Sequence, residues 1–277
     1  MTLKAEEKKG VLVLLGIGTF VALVLGVYVW VKVNQPIIGA DNCVYEDKLL
    51  VRRVAADHAV IIVDQSEEFS ESHKRQVKDL LLDFIADEKQ FGLRSRFMLY
   101  VFGKNDFQPG GAGQDLKPSL SLCKPPSSGN VVIENKRKIE KGFRDRFLLP
   151  LYGTIDTSLE VALGERSPIL EMIQYISRTQ DIRDVLGDRS KRTLIVVSDL
   201  LQHSANLSHY KDKGANYEDF LGLKTLNVDL RGWTIRVLYL QRYAGRDQKI
   251  QEKNHLEFWQ RYFRDAGAKI DRIDKVP

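Results

Sequence analysis

Apolar residues follow two alternating patterns along the chain after residue 57. Short apolar runs are typical of buried strands, and they lie at 59–64, which is rich in β-branched residues, and at 96–103, 193–199 and 233–240. Segments between them repeat apolar residues every three or four positions, which is helical spacing, at 73–88, 167–177 and 255–267. A last edge strand is predicted at 268–273. The pattern therefore predicts strands that alternate with helices.

Continuous apolar strands separated by helices predict a parallel sheet that is covered on both faces. Right-handed crossovers then give a three-layer, doubly wound α/β domain with a mostly parallel sheet. In such folds ligands bind at the carboxyl ends of the strands. Two predicted strands end in an acidic residue, Asp64 and Asp199. We therefore expect the functional site at that end of the sheet.

The first residues show a different pattern. Residues 11–31 carry no charged side chain, and a helix of this length crosses a hydrocarbon core of roughly 30 Å. The sequence predicts four parts, namely a tail (1–10), a transmembrane helix (11–32), a linker (33–57) and a domain (58–277). Within the domain, residues 104–150 break the alternation of strands and helices. They are predicted as an insertion, a long surface loop followed by a charged helix over 135–148.

The charges around the apolar run set its predicted orientation. Three lysines precede the run and two follow it closely, so the positive-inside rule places the N-terminus in the cytoplasm. The domain is then extracytoplasmic, in the periplasm of a bacterium. A small residue recurs every fourth position, at Gly18, Ala22 and Gly26. Such a face favours close helix packing and predicts a homodimer through this helix.

Composition narrows the class of partner. The net charge is +5 and 29% of residues are charged, with both signs interspersed and no basic-aromatic cluster, so we expect no nucleic-acid binding. The two cysteines, Cys43 and Cys123, leave two alternatives open. They form a disulfide if the domain lies in an oxidising compartment, or they are free thiols in the cytoplasm.

Three segments resemble the ligand segments of a von Willebrand factor A (vWA) domain, a Rossmann-like fold. They are "IIVDQSEEFS", "ERSPILEMI" and "LIVVSDLLQHS". In that family an Asp-x-Ser-x-Ser loop follows the first strand, a threonine opens a later helix, and an aspartate ends the fourth strand. Together these residues form a metal-ion-dependent adhesion site. Asp64 and Ser66 match the first two loop ligands, Ser167 matches the threonine, and Asp199 matches the later aspartate.

The chain departs from the family pattern at two places. Glu68 stands at the third loop position, with Ser70 two residues further on, and Leu200 stands where the family has a glycine. The resemblance implies a site for Mg²⁺, or for Mn²⁺ or Ca²⁺, which prefer oxygen ligands. The implied ligands are Asp64, Ser66, Glu68, Ser70, Ser167 and Asp199.

The resemblance implies a membrane-anchored interaction module rather than an enzyme, and no catalytic residue is assigned. The metal would accept an acidic side chain of a protein partner, within a bacterial envelope or mobile-element system. Two alternatives stay open. One is a metal-free membrane scaffold, because Ser66 and Ser70 also suit helix N-caps. The other is a metal-dependent hydrolase or phosphatase that uses Asp64.

Overall fold

The computed structural model describes residues 5–33, 37–45, 53–54, 57–103, 116–127, 135–160, 164–179, 182, 190–211, 217–223, 226–252 and 254–277. Its strands are β1 (Ile37–Ile38), β2 (Val44–Tyr45), β3 (Arg53–Val54), β4 (His58–Asp64), β5 (Arg96–Phe102), β6 (Leu120–Cys123), β7 (Arg192–Ser198), β8 (Trp233–Leu240) and β9 (Lys269–Val276). Its helices are α1 (Ala5–Val33), α2 (Glu71–Ala86), α3 (Lys136–Phe143), α4 (Leu149–Glu160), α5 (Ile169–Arg178), α6 (Tyr217–Leu221), α7 (Gly245–Gln251) and α8 (His255–Asp265).

Two sheets organise the described strands. Strands β1 to β3 form a small antiparallel sheet, and the large sheet has the order β6-β5-β4-β7-β8-β9. All neighbours in the large sheet are parallel except β6, which pairs antiparallel with β5 at the edge. This mostly parallel, doubly wound sheet confirms the predicted α/β class.

The central strand β4 is buried on both faces because helices cover the sheet on both sides. Its side chains alternate between two apolar cores. Val60 and Ile62 pack in the core that contains residues of α5 and α8. Ala59, Ile61 and Val63 pack in the core that contains residues of α2 and α4. The three-layer architecture therefore follows from a strand whose five central residues are apolar and lie between two helical layers.

The observed elements agree closely with the predicted ones. The four predicted strands have ends within one residue of the observed ends, and the three predicted helices lie within two residues. Helix α2 begins at Glu71 because the Ser70 side chain accepts a hydrogen bond from the His73 backbone N–H, which caps the first turn. The predicted edge strand is β9, which continues to Val276.

The prediction for the insertion was wrong in two respects. First, the predicted surface loop contains β6, whose three half-buried residues and one buried cysteine lie between Pro- and Gly-rich segments and give almost no periodic signal. Second, the predicted helix does not end at residue 148. A π-helical turn (Arg144–Leu148) leads directly into α4. Proline removes a helical hydrogen bond and crowds the preceding turn, and this wider turn accommodates Pro150.

The segment predicted as a linker contains the small sheet and contacts the domain. The Cys123 backbone N–H donates to the Asp41 carbonyl at 2.8 Å. The Asn42 side-chain amide donates to the Arg146 carbonyl at 2.8 Å. Cys43 and Cys123 form a buried disulfide across a sequence separation of 80. Of the two alternatives for these cysteines, the structure therefore has the disulfide.

Helix α1 is 29 residues long. Its side chains from Leu15 to Trp30 are exposed, and most of them are apolar. Over the described residues, no helix combines the length and the apolarity that crossing a membrane requires.

Reduction of the Cys43–Cys123 disulfide should destabilise the domain. We expect a loss of roughly 2–4 kcal/mol in the free energy of unfolding, because the closed loop restricts the unfolded chain. Thermal melting with and without reductant, followed by the fluorescence of buried Trp233 and Trp259, measures the effect. The Cys43→Ser/Cys123→Ser variant should melt at the lower temperature in both conditions. A wild-type melting temperature that does not respond to reductant contradicts the prediction.

Candidate functional site

The polar residues predicted from the strand ends lie at the topological switch point of the sheet. This is the place where the chain reverses the direction in which it adds strands. Strands β4 and β7 are neighbours in the sheet. The next strand is β5 on the side of β4 and β8 on the side of β7. Loops that leave such neighbours in opposite directions open a crevice at their carboxyl ends. Asp64 is the last residue of β4, and Asp199 directly follows β7. Both aspartates therefore lie at this crevice.

The buried Asp64 carboxyl group connects three segments. Its Oδ2 accepts hydrogen bonds from the hydroxyls of Ser167 at 2.6 Å and Ser198 at 2.8 Å. Its Oδ1 accepts from the Ser66 backbone N–H at 3.0 Å. The loop after β4, the start of α5 and the end of β7 are thus held by one side chain. Burial, and then the charge of Asp199, raise the pKa of Asp64 to about 6, although the three hydrogen bonds lower it.

Ser167 reaches Asp64 because its backbone is fixed before α5 begins. The Ser167 N–H donates to the His203 carbonyl at 2.9 Å, and the His203 N–H donates back at 2.8 Å. The side chain of neighbouring Gln202 accepts from the Leu170 N–H at 2.9 Å. The segment after β7 therefore positions the first residues of α5.

Arg242 also belongs to the candidate site, although the sequence motifs did not point to it. It follows β8, and its guanidinium forms a two-nitrogen contact with Asp199, since Nε and Nη2 each lie 2.8 Å from Oδ2. Its Nη1 donates to the Glu68 carbonyl at 3.1 Å. The side chains of Arg242 and Asp199 are only 15% and 2% exposed, which makes this a largely buried ion pair. The sequence contained one signal for this residue, namely a basic side chain just beyond the predicted strand at 233–240.

Gln251 on α7 holds the Arg242 loop in position. Its side-chain oxygen accepts from the Arg242 backbone N–H at 2.8 Å. Its side-chain nitrogen donates to the carbonyls of Asp199 and Leu240 at 3.0 and 2.9 Å. We call the group formed by Asp64, Ser66, Ser167, Asp199 and Arg242 the strand-end site.

The structure places the remaining predicted ligands differently. Ser70 is the N-cap of α2, which is the helix-capping role that the sequence left open. The Glu68 side chain is exposed, and the contact of this residue with the site is through its backbone carbonyl. Ser66 is half-buried and lies beside Asp64. Four of the six predicted residues are therefore brought together at the sheet end.

Leu200 has an unusual backbone conformation at the position where the vWA sequence pattern, which the chain resembles, has glycine. Its φ is +61°, in the left-handed region that favours glycine. Its N–H donates to Ser198 Oγ at 2.8 Å, and its carbonyl accepts from Trp259 Nε1 at 2.9 Å. These bonds hold a conformation that costs free energy in isolation. The local geometry therefore requires a left-handed residue, even though the glycine is absent.

Gly103, which directly follows β5, lies close to the backbone of the loop after β4. Its φ is +116°, and a Cβ there would lie 2.7 Å from the Ser66 backbone nitrogen. A side chain at this position would displace the loop after β4. Glycine is therefore needed at the carboxyl end of β5.

A cleft of about 410 Å³ opens beside the strand-end site. The hydroxyl-bearing residues Ser66 and Ser167 contribute to its wall. The rest of the lining is mainly charged, with three acidic and three basic residues: Glu67, Glu165, Asp247, Arg166, Lys211 and Arg246. The cleft is therefore polar and of mixed charge.

The strand-end site does not fit a divalent cation while Arg242 is in place. Mg²⁺ requires oxygen ligands in near-octahedral geometry. Asp64 Oδ2 already accepts two hydroxyl hydrogen bonds, and Asp199 Oδ2 is held by the guanidinium. The positive charge of Arg242 also opposes a second cation beside Asp199. Over the described residues, there is no group of three His, Cys, Asp or Glu residues arranged to hold a metal. Metal binding stays a prediction of the sequence.

No protein-family model matches the chain, and no curated protein matches it. Among solved structures, BatB of Bacteroides thetaiotaomicron, a conserved hypothetical protein, is 15% identical over 79% of this chain and 91% of that chain, with a TM-score of 0.37. An aerotolerance-related membrane protein of Bacteroides fragilis, with multiple mutations to serines, is 12% identical over 80% and 92%, with a TM-score of 0.35.

A third similar structure is the manganese-loaded TRAP protein of Plasmodium vivax. It is 12% identical over 65% of this chain and 56% of that chain, with a TM-score of 0.31. Likenesses at this level of identity and TM-score assign neither an activity nor a ligand to this chain.

Two buried histidines pack behind the strand-end site. His255 Nε2 lies 2.9 Å from the Leu200 carbonyl and 3.2 Å from His209 Nδ1, and its Nδ1 lies 3.1 Å from the Tyr239 hydroxyl. Burial is the main cause that lowers the pKa of His255 to about 4. Burial, and then the neighbouring His255, lower the pKa of His209 to about 3. Both rings are therefore neutral in the folded protein near neutral pH.

Acidification below pH 6.5 should destabilise the fold through these histidines. The unfolded chain binds their protons near pH 6.5, while the folded chain binds them only near pH 4 and pH 3. The free energy of unfolding should fall by up to about 1.4 kcal/mol per histidine per pH unit across this window. Thermal melting between pH 7 and pH 4.5 measures the slope.

The raised pKa of Asp64 has the opposite effect on how the free energy of unfolding depends on pH. Between pH 3.8 and about 6 the folded chain keeps a proton that the unfolded chain loses, so acidification in that range favours folding. Asp64→Asn removes this contribution and should make the acid-side fall in melting temperature steeper than in the wild type. A melting temperature that is constant or rises from pH 6.5 to pH 4.5 contradicts the account.

Proposed function

We propose that this chain is a membrane-anchored protein-interaction module with a vWA-like domain. Its contact face is the strand-end site together with the cleft beside it. The observation that carries the proposal is the cleft lining, which has balanced charges at the switch point of the sheet. The chemistry of this lining favours a polar protein surface as the ligand.

The charges of the cleft distinguish it from a typical small-molecule pocket. Such pockets are lined mainly by apolar and aromatic side chains, whereas protein interfaces use complementary charges for specificity. The basic residues Lys211, Arg166 and Arg246 converge on His203. After burial, their charges lower the pKa of that histidine. An acidic group of a partner therefore has a favourable position on this side of the cleft.

An exposed aromatic residue lies between Arg242 of the strand-end site and Arg246 of the cleft lining in the sequence. Tyr243 follows Arg242 and is 61% exposed, and Arg246 lies one turn further on. Tyrosine and arginine are enriched among residues that contribute most to protein binding. Gln251 holds the loop that carries Tyr243, and Arg246 lies on α7, so binding would immobilise few additional groups. The face is therefore suited to contact a protein partner.

The geometry of Asp64 supports binding rather than hydrolysis. Its side chain belongs to a residue that is 4% exposed, and three hydrogen bonds engage its oxygens. A nucleophilic aspartate needs an oxygen that faces the substrate. This arrangement favours a role for Asp64 in holding the loops of the site.

For location, we propose a single-pass anchor over residues 11–32, with the N-terminus in the cytoplasm and the domain outside it. The uncharged run at 11–31 supports the anchor, as do the exposed and mostly apolar side chains of α1 from Leu15 to Trp30. The Cys43–Cys123 disulfide supports an oxidising compartment. The homodimer and the bacterial envelope or mobile-element setting stay predictions of the sequence.

Photo-cross-linking in the native cell tests the proposed contact face. A photoreactive phenylalanine analogue at Tyr243 should give a discrete adduct of higher mass, because this exposed residue directly follows Arg242 and precedes Arg246 of the cleft lining by three positions. The same analogue at Tyr152, which is 44% exposed on α4, is the matched control and should give none. Equal cross-linking at both positions, or none at Tyr243, contradicts the proposed face.

A reporter fusion tests the proposed location separately. Alkaline phosphatase fused after Pro277 folds only in an oxidising compartment, so the fusion should be active in a bacterial host. Deletion of residues 11–31 should abolish this activity, because the domain then stays in the cytoplasm. An inactive fusion of the full chain contradicts the proposed orientation.

A further inference from the structure

The Arg242 guanidinium contacts two loops other than its own. It binds the Asp199 carboxylate after β7 and the Glu68 carbonyl in the loop between β4 and α2. Arg242 itself belongs to the loop between β8 and α7. Both contacted groups are oxygen acceptors of the kind that hard cations take as ligands. One side chain therefore cross-links the three loops that follow β4, β7 and β8.

The charges of the strand-end site are consistent with a single internal cation. The two buried carboxylates of Asp64 and Asp199 would together carry two negative charges when ionised. Arg242 neutralises Asp199 directly, and three hydrogen-bond donors satisfy Asp64. A divalent cation would add two positive charges to a group whose net charge is already only minus one. Without Arg242 the same two carboxylates would balance a divalent cation.

We infer that Arg242 takes the place of a divalent metal ion as the permanent cation of the strand-end site. The site is then assembled without metal, and its loops are fixed by a covalently attached charge. The inference goes beyond the proposed partner binding, because it concerns how the site is held together whether or not a partner is present.

Metal titration of the full chain in detergent tests this inference. The key variant is Arg242→Met, which keeps the length of the side chain and removes its charge. Arg231→Met is the matched control, because Arg231 forms an exposed ion pair with Asp229. Calorimetry with Mn²⁺ and Mg²⁺ measures binding, and tryptophan fluorescence measures melting in chelator and in millimolar metal.

The wild type and Arg231→Met should show no saturable metal binding and the same melting temperature in chelator and in metal. Arg242→Met should melt roughly 10 °C lower in chelator, because Asp199 becomes an unpaired buried charge. It should also gain one saturable Mn²⁺ site. Metal at about 100 times the dissociation constant should then raise its melting temperature by about 5–10 °C. Adding Asp199→Asn to Arg242→Met should abolish the gain.

Two results would overturn the inference. One is saturable Mn²⁺ or Mg²⁺ binding by the wild type that is lost in Asp199→Asn. The other is a folded Arg242→Met variant that gains no metal site. If Arg242→Met does not fold, metal binding is measured with Arg242→Lys instead. Lysine keeps the positive charge, so this variant should still exclude metal. Metal binding by Arg242→Lys would then refute the role of that charge. None of these readouts involves a partner, so they are independent of the cross-linking result.

Discussion

The arrangement of the strand-end site depends on one buried carboxylate at the end of the central strand. A carboxylate removed from water is costly unless hydrogen-bond donors surround it. Asp64 meets this requirement with Ser66, Ser167 and Ser198, which lie in three separate segments. The same bonds that offset part of the cost of its burial therefore fix the loop after β4, the start of α5 and the end of β7 relative to one another.

The Arg242–Asp199 ion pair also fixes the loop after β8 to the strand-end site. Removing one member of a buried pair leaves an uncompensated charge, so such pairs constrain their surroundings strongly. Gln251 and the left-handed Leu200 hold the backbone on either side of the pair. A face whose loops are already ordered loses little conformational entropy when a partner binds. The cleft beside it therefore has a rigid floor and an exposed, charged rim.

The sequence predicted the central sheet because apolar runs such as 59–64 have to be buried on both faces. It also predicted that Asp64 and Asp199 meet, since parallel strands end at one edge. Strand β6 was missed because its four residues are too few to show a periodic pattern, and α4 was missed because Pro150 normally ends a helix. Arg242 was missed for a different reason. Its partner Asp199 lies 43 residues away in another loop, and periodicity contains no information about such pairs.

Ion-pair geometry and metal occupancy at the strand-end site can be observed in a single measurement. Crystals of the chain grown with Mn²⁺ should be measured at the manganese absorption edge, where anomalous difference density locates the ion. The account predicts the Arg242 guanidinium on Asp199 and no anomalous peak at this site. A manganese peak about 2.0–2.6 Å from the oxygens of Ser66 and Ser167, with Arg242 turned away from Asp199, would contradict it.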